Sequence, residues 1–326
     1  GGSPAPVSLC RFQGVNHTMA NWLSDRRNFI PYLFLLPAVL VLAIGLVIPL
    51  VNAFRLSFFD WSMGTPLSSA RYIGFAAYER LLGDAAVGQS LGVTLRFAFW
   101  VIVIEMALGT VLALLLEKPI RGAAVFRTIF VLPLMVSPVV VGLIWRYLLD
   151  ARSGLINYYL EKIGEAVPLL QQFGFTTQLW LADPNQAFIS IIMTDVWQWT
   201  PFIFIIVLAG LQALPSEVME SAFIDGANRL QMIWYVKLPM IRSILLVTLL
   251  LRMVDVFRAL EVIFILTFGG PASSTEVLSL HIYKRAFTAQ QLGYASAIST
   301  LLIGILLVLS LGIMMYNNPL KEKADF

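Results

Sequence analysis

Six stretches of the chain are long and apolar enough to cross a bilayer: about 30 to 53, 88 to 116, 125 to 149, 186 to 213, 241 to 268 and 292 to 316. A spanning helix needs roughly 20 mostly apolar residues to cross a hydrocarbon layer about 30 Å thick. Helix is the conformation open to these runs. An isolated strand would leave backbone groups unpaired in lipid, and the two-residue alternation of a barrel strand is absent. Pro37, Pro133 and Pro138 fall inside crossings, where neighbouring helices can satisfy the freed backbone groups and local kinks are expected. Composition agrees, because 59% hydrophobic residues against 13% charged cannot furnish a water-facing surface. The expected fold class is an all-α integral membrane protein with six transmembrane helices, and no internal repeat is visible.

The same composition excludes several functions. The formal charge of +3 comes from scattered basic residues, with no stripe of Arg, Lys and aromatics that would suit nucleic acid. The single cysteine, Cys10, excludes an intrachain disulfide, and Cys10, His17 and His281 are not spaced to hold a metal. No GxxxxGK[ST] pattern and no Gly-Lys pair occur, so the chain offers no phosphate-cradling loop of its own. Residues 1–18, GGSPAPVSLCRFQGVNHT, read as a disordered tag or upstream extension, with a natural start at Met19 and a transmembrane domain over 19–326. With both termini inside, basic residues such as Arg26, Arg27, Lys118, Arg121, Lys321 and Lys323 fall on the cytoplasmic side, a modest positive-inside bias.

That orientation puts a polar, helix-forming segment, EVMESAFIDGANRLQMIWYVKLP (Glu217 to Pro239), in the cytoplasm between the fourth and fifth crossings. Ser216 is placed to cap a first helix, and Glu217 and Glu220 sit near its positive end. Asp225 is expected to cap a second helix starting at Gly226, which Leu238-Pro239 would stop. An amphipathic hairpin lying on membrane lipid is one fate for such a segment. Its first half, however, holds three acids and no Lys or Arg, which anionic headgroups would repel. A protein groove suits it better.

Here the sequence resembles the permease subunits of binding-protein-dependent ABC importers, in the carbohydrate branch of maltose-type and glycerol-phosphate-type permeases. ESAFIDGA followed by LP is similar to that family's EAA loop, with Glu220, Ala222, Asp225, Gly226, Ala227, Leu238 and Pro239 at matching positions and Ser221 where alanine is usual. FRTIFVLPL, AGLQALPSE and LTFGGPASST are also similar to that branch. The resemblance implies that the loop, 214–240, is a coupling helix seated in a cytoplasmic ATPase. It also implies an assembly with a second homologous permease, two ATPase subunits that carry ATP and Mg, and an extracytoplasmic solute-binding protein in a prokaryotic inner membrane.

Charges inside crossings cost about 2.5 to 3.5 kcal/mol each on insertion scales, so each needs a reason. The fifth crossing has four, Arg252, Asp255, Arg258 and Glu261. Pairing between neighbours accounts for part of the set, yet three-residue steps spiral round the helix, so all four cannot share one interface. In the fourth crossing Asp195, Trp199 and Phe202 share a face. An acid beside aromatics suits a sugar, and it also suits a packed helix interface. By the resemblance, the solute path corresponds to Asp195, Trp199, Phe202, Arg252, Asp255, Val256 and Ala259. Arg258 and Glu261 are expected to pair structurally near the outer gate, and Glu105 to make an interhelical hydrogen bond. The rival is an ion-coupled secondary transporter, with Asp195 and Asp255 relaying protons. Such carriers commonly carry repeats or interrupted half-helices, and the sequence signals neither.

Overall fold

The computed structural model describes residues 26–117 and 122–316. The expected extension 1–18, with Cys10 and His17, and the basic residues Lys118, Arg121, Lys321 and Lys323 lie outside the described residues. The chain forms two units, one ending at Ala53 and one beginning at Phe54.

In chain order the helices begin with α1 (Arg26–Leu42), a π-turn at Ala43–Val47, and α2 (Ile48–Leu56). A two-stranded antiparallel pair follows, β1 (Phe59–Asp60) with β2 (Arg71–Tyr72), in register Phe59 to Tyr72. Then come α3 (Ala76–Gly83), α4 (Ala85–Leu116), α5 (Ala123–Val131), α6 (Pro138–Leu148), α7 (Leu155–Ala166) and α8 (Pro184–Gln212). The remainder is α9 (Ser216–Ile224), α10 (Arg229–Gln231), α11 (Leu238–Met240), α12 (Arg242–Val256), α13 (Glu261–Leu266), α14 (Leu278–Tyr283) and α15 (Leu292–Tyr316).

Among the described residues four helical runs, Tyr32–Leu56, α4, α8 and Leu292–Met315, are long and apolar enough to span a membrane, and up to six spans result if each of two bent pairs counts as one. The 125 to 149 stretch is the first bent pair. Its halves meet at 99°, where Pro133 sits in a 3-10 turn, Leu132–Met135, and Pro138 opens α6. Proline supplies no N–H for a continuing ladder, so it is tolerated at a helix start and breaks a helix interior. The second pair is Arg229–Met240 with α12, bent by 66°.

The 241 to 268 stretch departs from the expected single helix. α12 ends at Val256, a turn follows with Arg258 N–H donating to Asp255 O at 3.0 Å and Ala259 N–H to Val256 O at 3.1 Å, and α13 begins at Glu261. No proline or glycine lies between Phe257 and Leu260, so nothing local announces this break.

Long helices need their first N–H groups satisfied. Asp84 caps α4 by accepting from Ala86 N–H at 2.9 Å, and Asp183 caps α8 by accepting from Asn185 and Gln186. α4 and α8 pack along one another, and Gly109 lets them approach. A Cβ there would lie 2.7 Å from Ile203 Cγ2 and 3.1 Å from the Phe204 amide. Two apolar clusters result. One joins Phe97, Val101, Ile191, Val256, Ile263 and Ile298, and the other joins Ala113, Ile203, Phe204, Val207 and Ile241.

Candidate functional site

The break after α12 opens on a cavity of about 330 Å³ lined by Asp195, Trp199, Asp255, Arg258, Ala259 and Glu261, with Phe97, Pro138, Ile191 and Leu260 to Ile263 completing the wall. Interrupted helices are where transporters commonly place polar backbone and ligand groups, because unwound backbone is tolerated at membrane depth only where it lines a cavity or is buried in protein. Four of the seven expected path residues, Asp195, Trp199, Asp255 and Ala259, therefore share one wall.

The other three are placed differently. Val256 is buried in the core at 2% exposure and is not part of the cavity wall. Phe202 stands edge-on to Trp199, with ring centroids 6.2 Å apart. Arg252 lies behind the wall and is 1% exposed. Its Nε donates to Glu105 Oε2 at 2.6 Å, its Nη2 to Glu105 Oε1 at 2.9 Å and to Asp195 Oδ2, and its Nη1 to Asp255 Oδ2 at 2.5 Å. Its guanidinium carbon also sits 4.9 Å from the Trp199 ring centroid. One cation thus joins α4, α8 and α12 through three carboxylates. A planar guanidinium with five donors is suited to this, since it can fork to one carboxylate and still reach two more.

The Glu105 hydrogen bond was expected from sequence without a partner; its partner is Arg252, 147 positions away. A signal for it existed, because Glu105 lies about as far from the end of α4 at Leu116 as Arg252 lies from Arg242. Arg258 and Glu261 depart from the structural pairing expected of them. Both are exposed on the cavity wall, and neither makes an ion pair among the described residues. The helix ends at Val256, so Arg258 lies in the break and Glu261 opens α13, and the three-residue helical spacing that would pair them does not hold.

The loop between α8 and α12 has a different chemistry. α9 starts with Ser216 at its first position after Pro215, and Ser216 makes no cap bond, contrary to expectation. Asp225 closes α9 instead of opening the next helix. Gly226 N–H donates to Phe223 O at 3.1 Å and Ala227 N–H to Ala222 O at 3.0 Å, with Gly226 at φ +82°. This is the Schellman arrangement, whose left-handed position favours glycine. The real cap of the second helix is Asn228, in a reciprocal capping box with Gln231. An acid before glycine fits an N-cap by residue type, but here the glycine serves the C-terminus of α9. Pro239 does not stop the second helix either. A π-turn, Met232–Lys237, shifts the hydrogen-bond register ahead of it, α11 carries Leu238 and Pro239 at its first positions, and the bend falls at Ile241.

Met219, Ala222 and Ala227 are half-buried in this elbow, while Glu220, Asp225, Gly226 and Pro239 are exposed. Phe223 at 76%, Ile224 at 83% and Trp234 at 66% exposure present a large apolar surface. Beyond Gly226 and its two chain neighbours, no atom of the described residues lies within 4 Å of a Cβ placed on Gly226. Lys237 pairs with Glu117 and so ties the elbow to the end of α4.

A motif with catalytic associations also occurs. GQSLG, Gly88 to Gly92, spells G-x-S-x-G, but Ser90 lies inside α4 and is buried, its carbonyl accepting from Thr94. A nucleophile elbow needs an exposed serine on a strand-to-helix turn.

At the end of the spans away from the elbow, Glu276 accepts from His281 Nδ1 at 2.7 Å and from Lys284 at 2.5 Å. The His281 hydrogen bond, with Lys284, outweighs partial burial and lowers the Glu276 carboxyl to about 2.

Comparison with known proteins decides the family. The family described as the binding-protein-dependent transport system inner membrane component matches residues 105–318. The chain belongs to this family. It is 31% identical, over 92% of its length and 97% of the relative's, to a trehalose/maltose transport system permease protein of Thermococcus litoralis. It is 28% identical, over 87% of its length and 92% of the relative's, to an sn-glycerol-3-phosphate transport system permease protein of Agrobacterium fabrum. A chain of the bacterial alginate ABC transporter, crystallised with an alginate-bound periplasmic protein, shares the fold at TM-score 0.76 and 23% identity, covering 92% of this chain and 97% of that one. The protein is an ABC importer permease subunit of the type I fold. Membership also removes the force of the secondary-transporter reading, even though the fifth crossing does contain the interruption that the sequence failed to signal.

Proposed function

We propose that the chain is the membrane half of a sugar, oligosaccharide or polyol importer that works by alternating access. The carbohydrate class is supported by the trehalose/maltose named for one relative and by the pairing of Trp199 with Asp195 and Asp255 on one cavity wall. An aromatic face covers the apolar C–H side of a sugar ring, and carboxylates accept from its hydroxyls.

The motor is proposed to be separate. Two cytoplasmic ATPase subunits would hold ATP and Mg, a second homologous permease would complete the path, and a solute-binding protein would dock outside, with this chain spanning the inner membrane and both termini in the cytoplasm. The observation that carries the coupling role is the elbow at 214–240, where Phe223, Ile224 and Trp234 stand exposed around the tight turn at Gly226. Closing of the ATPase pair would push this elbow, and α12 would carry the push toward the cavity.

Co-expression with the cognate partners gives the test. Gly226→Glu is expected to abolish uptake and solute-stimulated ATP hydrolysis while the complex still reaches the membrane. Gly226→Asn, which tolerates the left-handed backbone, should retain more of both. Normal uptake by the glutamate variant would overturn the coupling role.

A further inference from the structure

The arginine nearest the cavity's aromatic and aspartates lies behind the wall, with its charge already taken up by carboxylates. Arg252, the cation nearest to Asp195 and Trp199, is buried and spends its donors on Glu105, Asp195 and Asp255. Only Asp255 in that set keeps substantial exposure, with 37% of its side chain open. On the wall itself Glu261 faces the cavity together with Arg258. Counting the wall and the cluster behind it, four carboxylates stand against two guanidiniums.

Resting on the reading of this cavity as the solute path, we infer that it selects an uncharged polyhydroxylated solute over an anionic one, and that Glu105 sets this preference by holding Arg252 away from the solute. A buried ion pair is oriented by its partners and does not re-form around a third ion without losing them. An anionic sugar entering here meets the free edge of Asp255 and the Glu261 carboxylate, with Arg258 as the one unpaired cation among the described cavity residues. A neutral sugar meets the same carboxylates as hydrogen-bond acceptors and pays no charge repulsion. The preference is thus built from Glu105, which touches no solute, acting through Arg252 on the two aspartates that do line the wall.

The chain has a single cysteine, Cys10, which allows a direct probe of the cavity's charge that does not require knowing the solute. In the assembled complex with Cys10→Ser and Ala259→Cys, modification would be timed with cationic, neutral and anionic methanethiosulfonates, each rate normalised to its reaction with a free thiol. Measurements would be made in both the nucleotide-free and vanadate-trapped states. The cationic reagent is expected to outpace the anionic one by about tenfold or more. Glu105→Gln or Asp255→Asn should each reduce that ratio several-fold, and Asp255→Asn, at a part-exposed group, serves where the buried variant fails to fold. Anionic modification as fast as cationic, with the neutral reagent reacting readily, would overturn the charge preference and leave the cavity reading intact. Failure of all three reagents in both states would overturn the cavity reading and the preference with it.

Discussion

The two candidate functional regions break the usual placement of side chains in opposite ways. Around Arg252 the protein buries charge inside its apolar interior, and at the elbow it exposes Phe223, Ile224 and Trp234 outside it. In the first region each of the three guanidinium nitrogens of the cation donates to a carboxylate of the same chain, so its charge is answered from within. In the second the apolar surface has no answer from the described chain, which is the pattern of an incomplete interface. The contrast teaches that an inverted residue is informative according to whether the chain itself compensates it.

The comparison breaks most severely if Arg252 is dispensable. Arg252→Met strands Glu105 and Asp195 without their cation, and loss of one partner from a buried ion pair costs about 3–5 kcal/mol. A large fall in the thermal denaturation midpoint of the purified complex is expected, and an unchanged midpoint would show that the cluster is not compensated as described. The elbow should respond in the opposite sense. Phe223→Asp is expected to weaken capture of the ATPase roughly thirtyfold, the scale of a central interface anchor, with little change in the permease's own melting. A destabilised permease with unaltered ATPase binding would reverse the roles of the two regions.

A smaller effect isolates the elbow's backbone from its surface. Gly226→Ala places a Cβ in the left-handed region at φ +82°, at a cost of about 1–2 kcal/mol. Faster hydrogen exchange at the Ala227 amide, which closes the Schellman turn, would register it. The smallest effect concerns Glu276, whose folded carboxyl is lowered from 4.5 to about 2. Because the folded value is depressed, the stabilisation is fully present above about pH 4.5 and is lost as pH falls toward 2. Glu276→Gln should flatten the midpoint's dependence on pH across that window, and an unchanged slope would remove the ion pair's contribution.

The spans and the elbow were legible because both are local patterns. A run of apolar residues and the sequence ESAFIDGA carry their meaning within a few turns. The capping detail was harder, since Asp225-Gly226 fits either end of a helix by residue type, and the choice depends on whether Ala227 N–H finds the Ala222 carbonyl. The partners of Arg252 come from three helices, and the intrahelical pairs suggested by spacing account only for Asp255. The cavity was legible as a shared face of Asp195 and Trp199, but its floor depends on the break at 257–260, for which the residues give no local punctuation. Charged side chains at depth marked the place without revealing which would turn inward to pair and which would stay open.

That break divides the fifth crossing between two sets of neighbours. α12 is fastened to α4 through Arg252 and Glu105, whereas α13 is held to α6, where Arg146 donates to the Ile265 carbonyl at 2.9 Å. An uninterrupted rod would pass an axial thrust from Met240 to its far tip. Under the proposed coupling role, a rod severed at Phe257 to Leu260 would spend that thrust at the cut, so that the stroke would arrive at the chamber wall and leave the segment beyond it with its own anchor.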